Sequence, residues 1–374
     1  MKRAFGRLLG VFLAAAMVLA ANAAAAEPPY VLVDVDTGEV LAQRQAGDLW
    51  YPASLTKLMT IYVAFQGLRA GRIQMDSPVV ISERATQVQP ATMGFPAGTV
   101  VTVDNALKML VVKSANDVAN AVAEAIGGSI ESFVNMMNAE AARLGLSGTR
   151  FVNPHGLPSS GQSTNARDMA MLAYMIWHQF PEYRSYFAIE AIRYGSTVMP
   201  AGNALLGYYA GANGMKTGYI CSSGYNLVAT ATRNGRTLLA VVLGEASEGA
   251  RAIFAAELLD VGFAGGAVGN VALPLFRPNP TTAGVTDLRS TMCPEGGAGG
   301  DNLLDLDAVL AAQIGPRQTE AVPVEVVTGG ANPNALVLVD IPLPRPRPSP
   351  YPADYLGVTN PVAMTALPFP RPRP

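Results

Sequence analysis

The amino-acid sequence predicts an α+β fold, in which a largely antiparallel sheet carries helices and a helical insertion separates its strands. Two long β-type runs, "GYNLVATATR" and "RTLLAVVLG", are separated by Asn234-Gly235, a pair that tolerates positive φ and favours a hairpin. Apolar residues recur at helical spacing in several segments upstream of this hairpin. The sheet is therefore expected to draw its strands from both ends of one domain.

The individual elements follow from local patterns. The run "YVLVDVDTGEVLAQR" predicts two strands joined at the Asp-Thr-Gly turn 36–38. Apolar residues at helical spacing predict a helix from Ser54 to about Gly67. Three further helices are expected over "TVDNALKMLVV", "DVANAVAEAI" and "SIESFVNMMNAEAARLG", with Thr102 and Ser129 as N-caps. The segment "NGMKTGY" is the expected neighbour of the hairpin strands, and "EGARAIFAAELLDVGF" predicts a closing helix.

The first residues have the features of an export signal. A positively charged start precedes the apolar run "LLGVFLAAAMVLA" and a stretch of small residues. We expect residues 1–26 to be a signal peptide and the mature protein to be exported to the periplasm or cell envelope, with at most peripheral membrane association. A retained anchor is the alternative, although the apolar run is shorter than the ~20 residues that a membrane span needs.

The remaining chain divides by composition. A packed domain is expected over residues 27–265, where apolar density and periodicity are high. Short apolar pieces such as "VPVEVV" and "ALVLVDIPL" follow among Gly and Pro, and they predict a small β module over 266–341. About a third of residues 342–374 are proline, which predicts a disordered, polyproline-like tail.

The charge and the cysteine content of the chain argue against a nucleic-acid-binding protein and against a disulfide-rich scaffold. The formal net charge is −2, and it becomes −5 when the three basic residues of the signal are removed. Because the central part of the chain has no basic patch, we expect no nucleic-acid partner. Cys221 and Cys293 are too few for a disulfide scaffold but suit one bridge in an oxidising compartment, with buried free thiols as the alternative.

The stretch "YPASLTKLMT" places Ser54 and Lys57 three residues apart at a predicted helix start. Such neighbours lie ~5 to 6 Å apart at Cβ, so the amine can reach the hydroxyl. The chain has five lysines against twenty-one arginines, and of these two side chains only lysine can become a base when burial or a nearby cation lowers its pKa. Taken alone, the pair also fits an N-cap serine followed by a surface lysine.

Two further motifs accompany this pair. "KSANDV" supplies a Ser-Ala-Asn triplet at 114–116 between two helical patterns, and "GMKTGY" supplies a Lys-Thr-Gly triplet at 216–218 on a strand. With "FVNPHGLP" and "STNARDMAMLA", these motifs resemble the penicillin-recognising serine enzymes, most closely the low-molecular-mass penicillin-binding proteins that act as D-alanyl-D-alanine carboxypeptidases. The resemblance spans Pro29 to about Phe263 and implies a β-lactamase/transpeptidase-like domain.

The resemblance implies roles for the residues of the first two motifs. Ser54 would be acylated, and Lys57 would take its proton. Ser114 would relay a proton to the leaving group, while Asn116 would orient the substrate amide. We further expect burial and the charge of Lys216 to lower the pKa of Lys57 and keep its amine neutral.

The third motif is implied to bind the substrate. Lys216 would hold the terminal carboxylate, with Thr217 as a hydrogen-bond donor and Gly218 completing the triplet. An acyl-enzyme also needs donors that face the developing oxyanion. The backbone N–H groups of Ser54 and Tyr219 are the candidates for this hole.

Other positions match the family less closely. His155, in "NPHGLP", corresponds to a His-Gly-Leu segment of the family and is a candidate substrate-binding residue, with a structural histidine in a turn as the alternative. His178 is expected to pack on an apolar helix. Ile220 and Cys221 replace the small or hydroxyl residues that many relatives carry there, which affects the expected shape of the groove more than the reaction class.

The resemblance thus implies a serine-type D-alanyl-D-alanine carboxypeptidase that needs no metal or cofactor. Its partners would be peptidoglycan stem peptides, with β-lactam antibiotics as covalent inhibitors. A β-lactamase of class A is disfavoured, because "SGTRFVNPHGLPSSG" lacks the glutamate that would activate the deacylating water. A D,D-endopeptidase that cuts peptide cross-links and a non-catalytic peptidoglycan-binding scaffold stay open as alternatives.

Overall fold

The computed structural model describes most of the chain. The described residues are 28–266, 269, 271–281, 284–294 and 305–330. The predicted signal peptide, 1–26, and the proline-rich tail, 342–374, lie outside these ranges. No helix within the described ranges is long and apolar enough to cross a bilayer.

Within the described residues, the strands are β1 (Tyr30–Asp34), β2 (Val40–Arg44), β3 (Pro78–Val80), β4 (Val100–Thr102), β5 (Ala191–Tyr194), β6 (Thr197–Pro200), β7 (Ala212–Ile220), β8 (Gly224–Arg233), β9 (Arg236–Glu245) and β10 (Val324–Glu325). These strands form one large and two small sheets. The main sheet has five antiparallel strands in the order β2-β1-β9-β8-β7, and the small sheets have the orders β10-β5-β6 and β3-β4.

The main sheet is built from β1–β2 and from β7–β9, and most of the described helices lie between these two groups in the sequence. They are α1 (Thr56–Arg69), α2 (Glu83–Thr86), α3 (Val103–Val111), α4 (Asn116–Gly127), α5 (Ile130–Arg143) and α6 (Ala166–Gln179), followed after the sheet by α7 (Glu248–Phe263), α8 (Arg289–Met292) and α9 (Leu306–Gln313). Two 3-10 segments cover Ala53–Leu55 and Pro181–Ala188. The predicted α+β class, with a helical insertion in an antiparallel sheet, is confirmed.

Local sequence signals account for the element boundaries. Asn234 and Gly235 have φ values of 52° and 79° and join β8 to β9, as the hairpin signal predicts. The hydroxyl of Thr102 accepts a hydrogen bond from the N–H of Asn105 at 3.1 Å and caps α3. Ser129 caps α5 in the same way.

The hydrophobic core has two layers, one on each face of the main sheet. Val31 and Val33 of β1 pack on the face covered by α6, whereas Tyr30 and Leu32 pack on the face covered by α7. This alternation follows the two-residue period of a strand. Because β1 is fully buried on both faces, it and the neighbouring β9 fix the centre of the sheet.

The β module expected over 266–341 stays a prediction, because parts of this segment lie outside the described residues. Its described parts contain α8, α9 and one strand, the two-residue β10, which pairs in parallel with β5 of the body. Leu273 and Phe276 are buried in the main core, and Leu310 of α9 is buried in the same cluster as residues of α7. The described parts supply too few apolar residues for a core of their own, so they pack on the larger domain instead. The run "ALVLVDIPL" lies outside the described residues.

A disulfide anchors part of this segment. Cys221, just after β7, is bonded to Cys293, just after α8, with Cα atoms 5.6 Å apart. The N–H of Leu288 donates to the Ser222 carbonyl at 3.0 Å, and Arg289 donates to the Ser222 hydroxyl at 3.0 Å. The bridge therefore links the short segment that contains α8 to the end of β7.

We expect Cys293→Ser to lower the free energy of unfolding by about 2–4 kcal/mol, because the bridge closes a long loop of the unfolded chain. Urea unfolding of protein from an oxidising compartment measures this, with reduced wild type as the matched comparison. Reduction should bring the wild type to the level of the variant and leave the variant unchanged. Two free thiols in unreduced protein, with equal urea midpoints, would contradict the bridge.

Candidate active site

Ser54 and Lys57 meet at the start of α1. Ser54 lies in the 3-10 turn Ala53–Leu55, and α1 begins at Thr56, two residues after the start that the sequence predicts. The Lys57 amine lies 3.1 Å from the Ser54 hydroxyl, within hydrogen-bond distance. The side chain of Lys57 is completely buried, so the surface-lysine alternative does not apply.

The turn that carries Ser54 is tightly enclosed by two glycines. A Cβ atom at Gly218 would lie 2.9 Å from the Ser54 nitrogen, and one at Gly156 would overlap the carbonyl oxygen of Ala53. Only glycine therefore allows the edge of β7 and the loop at 156 to approach the turn so closely. Ala53 itself has a φ of 48°, an uncommon conformation for a residue with a side chain.

Lys57 is held by three neutral oxygen atoms from three elements. In the neutral amine, the two N–H groups donate to Oδ1 of Asn116 and to the carbonyl of His155, both at 2.7 Å, which leaves the nitrogen lone pair for the proton of Ser54. Burial holds the pKa of Lys57 well below its usual value, the charge of Lys216 lowers it further, and Asp117 opposes the shift. This agrees with the expectation from the sequence that the amine is neutral.

Ser114 has an uncommon backbone conformation, and its hydroxyl has no hydrogen-bond partner among the described residues. It lies between α3 and α4 with a φ of 60°. Its Oγ is buried and has no hydrogen-bond partner among the described residues. A strained non-glycine residue with a free hydroxyl often marks a functional site.

Asn116, the first residue of α4, is fixed in orientation on both sides. Its side-chain N–H donates to the Pro90 carbonyl, which leaves Oδ1 facing Lys57. The Asp117 carboxylate accepts from the N–H groups of Met93 and Gly94, both at 3.0 Å. Asp117 thereby holds the loop at 90–94 against α4 and indirectly positions the amide of Asn116.

Lys216 extends from β7, the open edge strand of the main sheet. It is 2% exposed, and its amine donates only to the Thr217 carbonyl, at 3.2 Å, within the described residues. Burial and the nearby Arg251 charge lower the pKa of Lys216 to about 7. Arg251 is itself buried and donates to the Gly202 carbonyl and to Glu248.

The surroundings of Thr217 are also positive and close-packed. A Cβ at Gly202 would lie 2.7 Å from the Thr217 hydroxyl, so Gly202 leaves room for that side chain. Within the described chain neither Lys57 nor Lys216 forms an ion pair. The region therefore suits an incoming carboxylate, which would supply the missing negative charge.

The backbone of Tyr219 continues this open edge. The N–H of Ile220 points towards the hairpin, where it donates to the Ser223 hydroxyl at 3.2 Å. N–H groups alternate in direction along an antiparallel strand, so that of Tyr219 points to the open side. Gly218, the residue before Tyr219, packs against the Ser54 nitrogen, which brings the two candidate backbone donors near each other.

The two histidines have structural contacts. Nδ1 of His155 accepts from the N–H of Leu157 at 3.2 Å, and burial and the charge of Lys57 lower its pKa to about 3. Its carbonyl accepts from Lys57, and substrate binding by His155 stays a prediction. His178 stacks on Tyr174 with ring centroids 4.1 Å apart.

Three positioning residues are absent from the sequence-based prediction. Besides Asp117 and Arg251, the buried Asn226 of β8 donates to the Tyr51 carbonyl at 3.0 Å and accepts from the Gly244 N–H. It thereby ties the segment before Ser54 to the sheet. A polar residue inside the apolar run "GYNLVATAT" was the available signal for this role.

The arrangement is suited to acyl transfer. It combines a hydroxyl beside an amine of lowered pKa, a second free hydroxyl, backbone donors on an open strand edge and a cationic region. These are the parts that nucleophilic catalysis at a carbonyl requires.

Comparisons with known proteins point in the same direction. A family model described as D-alanyl-D-alanine carboxypeptidase matches residues 15–247. D-alanyl-D-alanine carboxypeptidase DacC of Escherichia coli is 37% identical over 241 residues, which cover 63% of this chain and 60% of that relative. The chain thus spans about three fifths of the length of that curated relative.

Two solved structures have a similar fold. The D-alanyl-D-alanine carboxypeptidase DacD from Francisella tularensis is 29% identical, with a TM-score of 0.62 over 65% of this chain and 71% of that one. Penicillin binding protein 5 from Haemophilus influenzae is 35% identical, with a TM-score of 0.61 over 63% of this chain and 70% of that one.

Proposed function

The chain belongs to the D-alanyl-D-alanine carboxypeptidase family, and from this premise we propose that it is a serine-type enzyme that removes the terminal D-alanine from peptidoglycan pentapeptides. The observation that carries the proposal is the Lys57 amine, which is fully buried, forms no ion pair within the described residues and lies 3.1 Å from the Ser54 hydroxyl. We take the enzyme to be exported, because its proposed substrate lies in the cell envelope.

Acylation begins with proton transfer from Ser54 to the neutral amine of Lys57. Oγ of Ser54 bonds to the carbonyl carbon of the penultimate D-alanine, and the carbonyl electron pair moves to oxygen. The N–H groups of Ser54 and Tyr219 stabilise this oxyanion. When the carbonyl reforms, the C–N bond breaks, and the leaving nitrogen receives the proton of Lys57 through the hydroxyl of Ser114. Free D-alanine leaves, and the peptide stays esterified to Ser54.

Deacylation uses the same groups in reverse. A water molecule gives a proton to Lys57 and bonds to the ester carbon. The bond from carbon to Oγ then breaks, and Ser54 regains the proton from Lys57. The products are the shortened peptide and the free enzyme.

Recognition of the terminal carboxylate falls to Lys216 and Thr217, with Arg251 adding positive charge behind them. Asn116 orients the substrate amide, and Gly218 permits the close approach of β7 to Ser54. His155 holds Lys57 through its carbonyl. A β-lactam would enter the same cleft and acylate Ser54, which makes such antibiotics the expected covalent inhibitors.

The direct test is incubation of the purified protein with two muropeptides, a monomeric pentapeptide and a cross-linked dimer. We expect release of free D-alanine from the pentapeptide, and no release with Ser54→Ala. Faster cleavage of the dimer than of the pentapeptide would favour an endopeptidase. Cleavage of neither by folded protein would favour a scaffold.

The pH dependence of kcat/KM should have two limbs. Lys57 must be neutral to act as a base, so activity should fall at acidic pH. Lys216 must be protonated to bind a carboxylate, and with a pKa of about 7 it loses its proton as the pH rises above that value. We therefore expect KM to rise above about pH 7. Lys216→Arg is the matched variant, since arginine stays charged, and an identical alkaline limb in that variant would contradict the assignment.

A further inference from the structure

A cavity of about 480 Å³ lies between α2, α4, α5 and the loop at 152–155. It adjoins the site described above, because His155 lines it and the carbonyl of the same residue accepts from Lys57. The cavity is thus next to the wall of the cleft formed by α4 and this loop. The carboxylate-binding residue Lys216 belongs to the other wall, on β7.

Among the described residues, one buried side-chain oxygen that lines the cavity has no hydrogen-bond partner. Asn120 lines it and is only 5% exposed, yet its Oδ1 forms no hydrogen bond with any described residue. Asn120 lies one helical turn after Asn116 on α4, so the two amides are on the same face of the helix. Since buried polar groups are almost always paired, a ligand is the natural partner for this amide.

The other lining residues define what the ligand can be. Gln87, Asn135 and Asn153 add three more carboxamides, each of which both donates and accepts as a peptide group does. Arg84 and Glu131 pair with each other at 2.6 Å at the exposed rim, so they impose no net charge. No phenylalanine, tyrosine or tryptophan lines the cavity, and the ring of His155 is the one aromatic group among its lining residues. The lining is complementary to peptide groups.

We propose that this cavity is a subsite for the acyl-donor peptide, in which the amide of Asn120 hydrogen-bonds a peptide group upstream of the two terminal D-alanines. The inference rests on the proposed function. It adds that the enzyme selects its substrate at two ends, with Lys216 at the terminal carboxylate and Asn120 further upstream. A donor too short to reach the cavity should therefore be a poorer substrate.

The test compares D-alanine release from N-acetyl-D-Ala-D-Ala and from a pentapeptide that ends in D-Ala-D-Ala. We expect the wild type to prefer the pentapeptide in kcat/KM. Asn120→Leu should lower this preference about tenfold, mainly through KM, since it removes the amide at similar volume. Val134→Phe, which fills the cavity from α5, should have the same effect. Asn279→Leu makes the same chemical change at an exposed residue that does not line the cavity, and the preference should persist there.

The outcomes separate this inference from the proposed function. A wild type that shows no preference for the pentapeptide, or a preference that survives both Asn120→Leu and Val134→Phe, would overturn the subsite alone. Absence of D-alanine release from either peptide by folded wild type would overturn the proposed function together with the subsite. Labelling by a fluorescent penicillin verifies that each variant is folded and reactive at Ser54.

Discussion

Lys57→Arg is expected to slow acylation by penicillin about a thousandfold or more while the fold survives. The substitution keeps the positive charge and a long side chain, but arginine does not release its proton in proteins. General base catalysis typically contributes ~10²–10⁴ in rate, and Ser54 would lose the base that lies beside it. The acylation rate constant measured with a fluorescent penicillin gives the effect, and circular dichroism checks the fold.

Lys108→Arg is the matched control for this prediction. Lys108 forms an ion pair with Asp104 on α3 and does not contact Ser54, so its replacement should leave the acylation rate unchanged. Acylation of Lys57→Arg at nearly the wild-type rate would eliminate Lys57 as the base.

The second large effect concerns the substrate carboxylate. Conversion of a D-Ala-D-Ala peptide into its C-terminal amide should lower kcat/KM about a hundredfold. The amide loses charge-assisted hydrogen bonds to Lys216 and Thr217, and each such bond contributes roughly 1.5–3 kcal/mol. Steady-state D-alanine or D-alaninamide release measures both substrates under the same conditions.

A thermodynamic cycle is obtained when the wild type and Lys216→Ala are each measured on the acid and on the amide peptide. If Lys216 recognises the carboxylate, the variant should be poor on both peptides and should discriminate between them much less than the wild type. Comparable wild-type turnover of the acid and the amide would show that Lys216 and Thr217 do not recognise the charge of the terminal carboxylate.

Local signals in the sequence predicted much of the fold and of the candidate site. The Asn234-Gly235 turn and the caps at Thr102 and Ser129 depend on backbone preferences of a few residues, and the structure confirms them. The neighbourhood of Ser54 and Lys57 is equally local, because helical spacing alone brings the two side chains together.

Long-range packing accounts for what the sequence did not predict. Arg251 lies near Lys216 because α7 covers the main sheet, a relation that no local pattern encodes. The same holds for Gly156, which packs on Ala53 from more than a hundred residues away. The expected C-terminal β module over 266–341 stays a prediction, and within the described residues Leu273 packs in the core of the larger domain.

Ser54 is the residue that we expect to become acylated. Incubation with a fluorescent penicillin, followed by denaturing electrophoresis and peptide mapping, is the direct test of this role. We expect a covalent adduct on the peptide that contains Ser54 in the wild type and no labelled band for folded Ser54→Ala. A folded wild type that remains unlabelled, or an equal signal in Ser54→Ala, would contradict it.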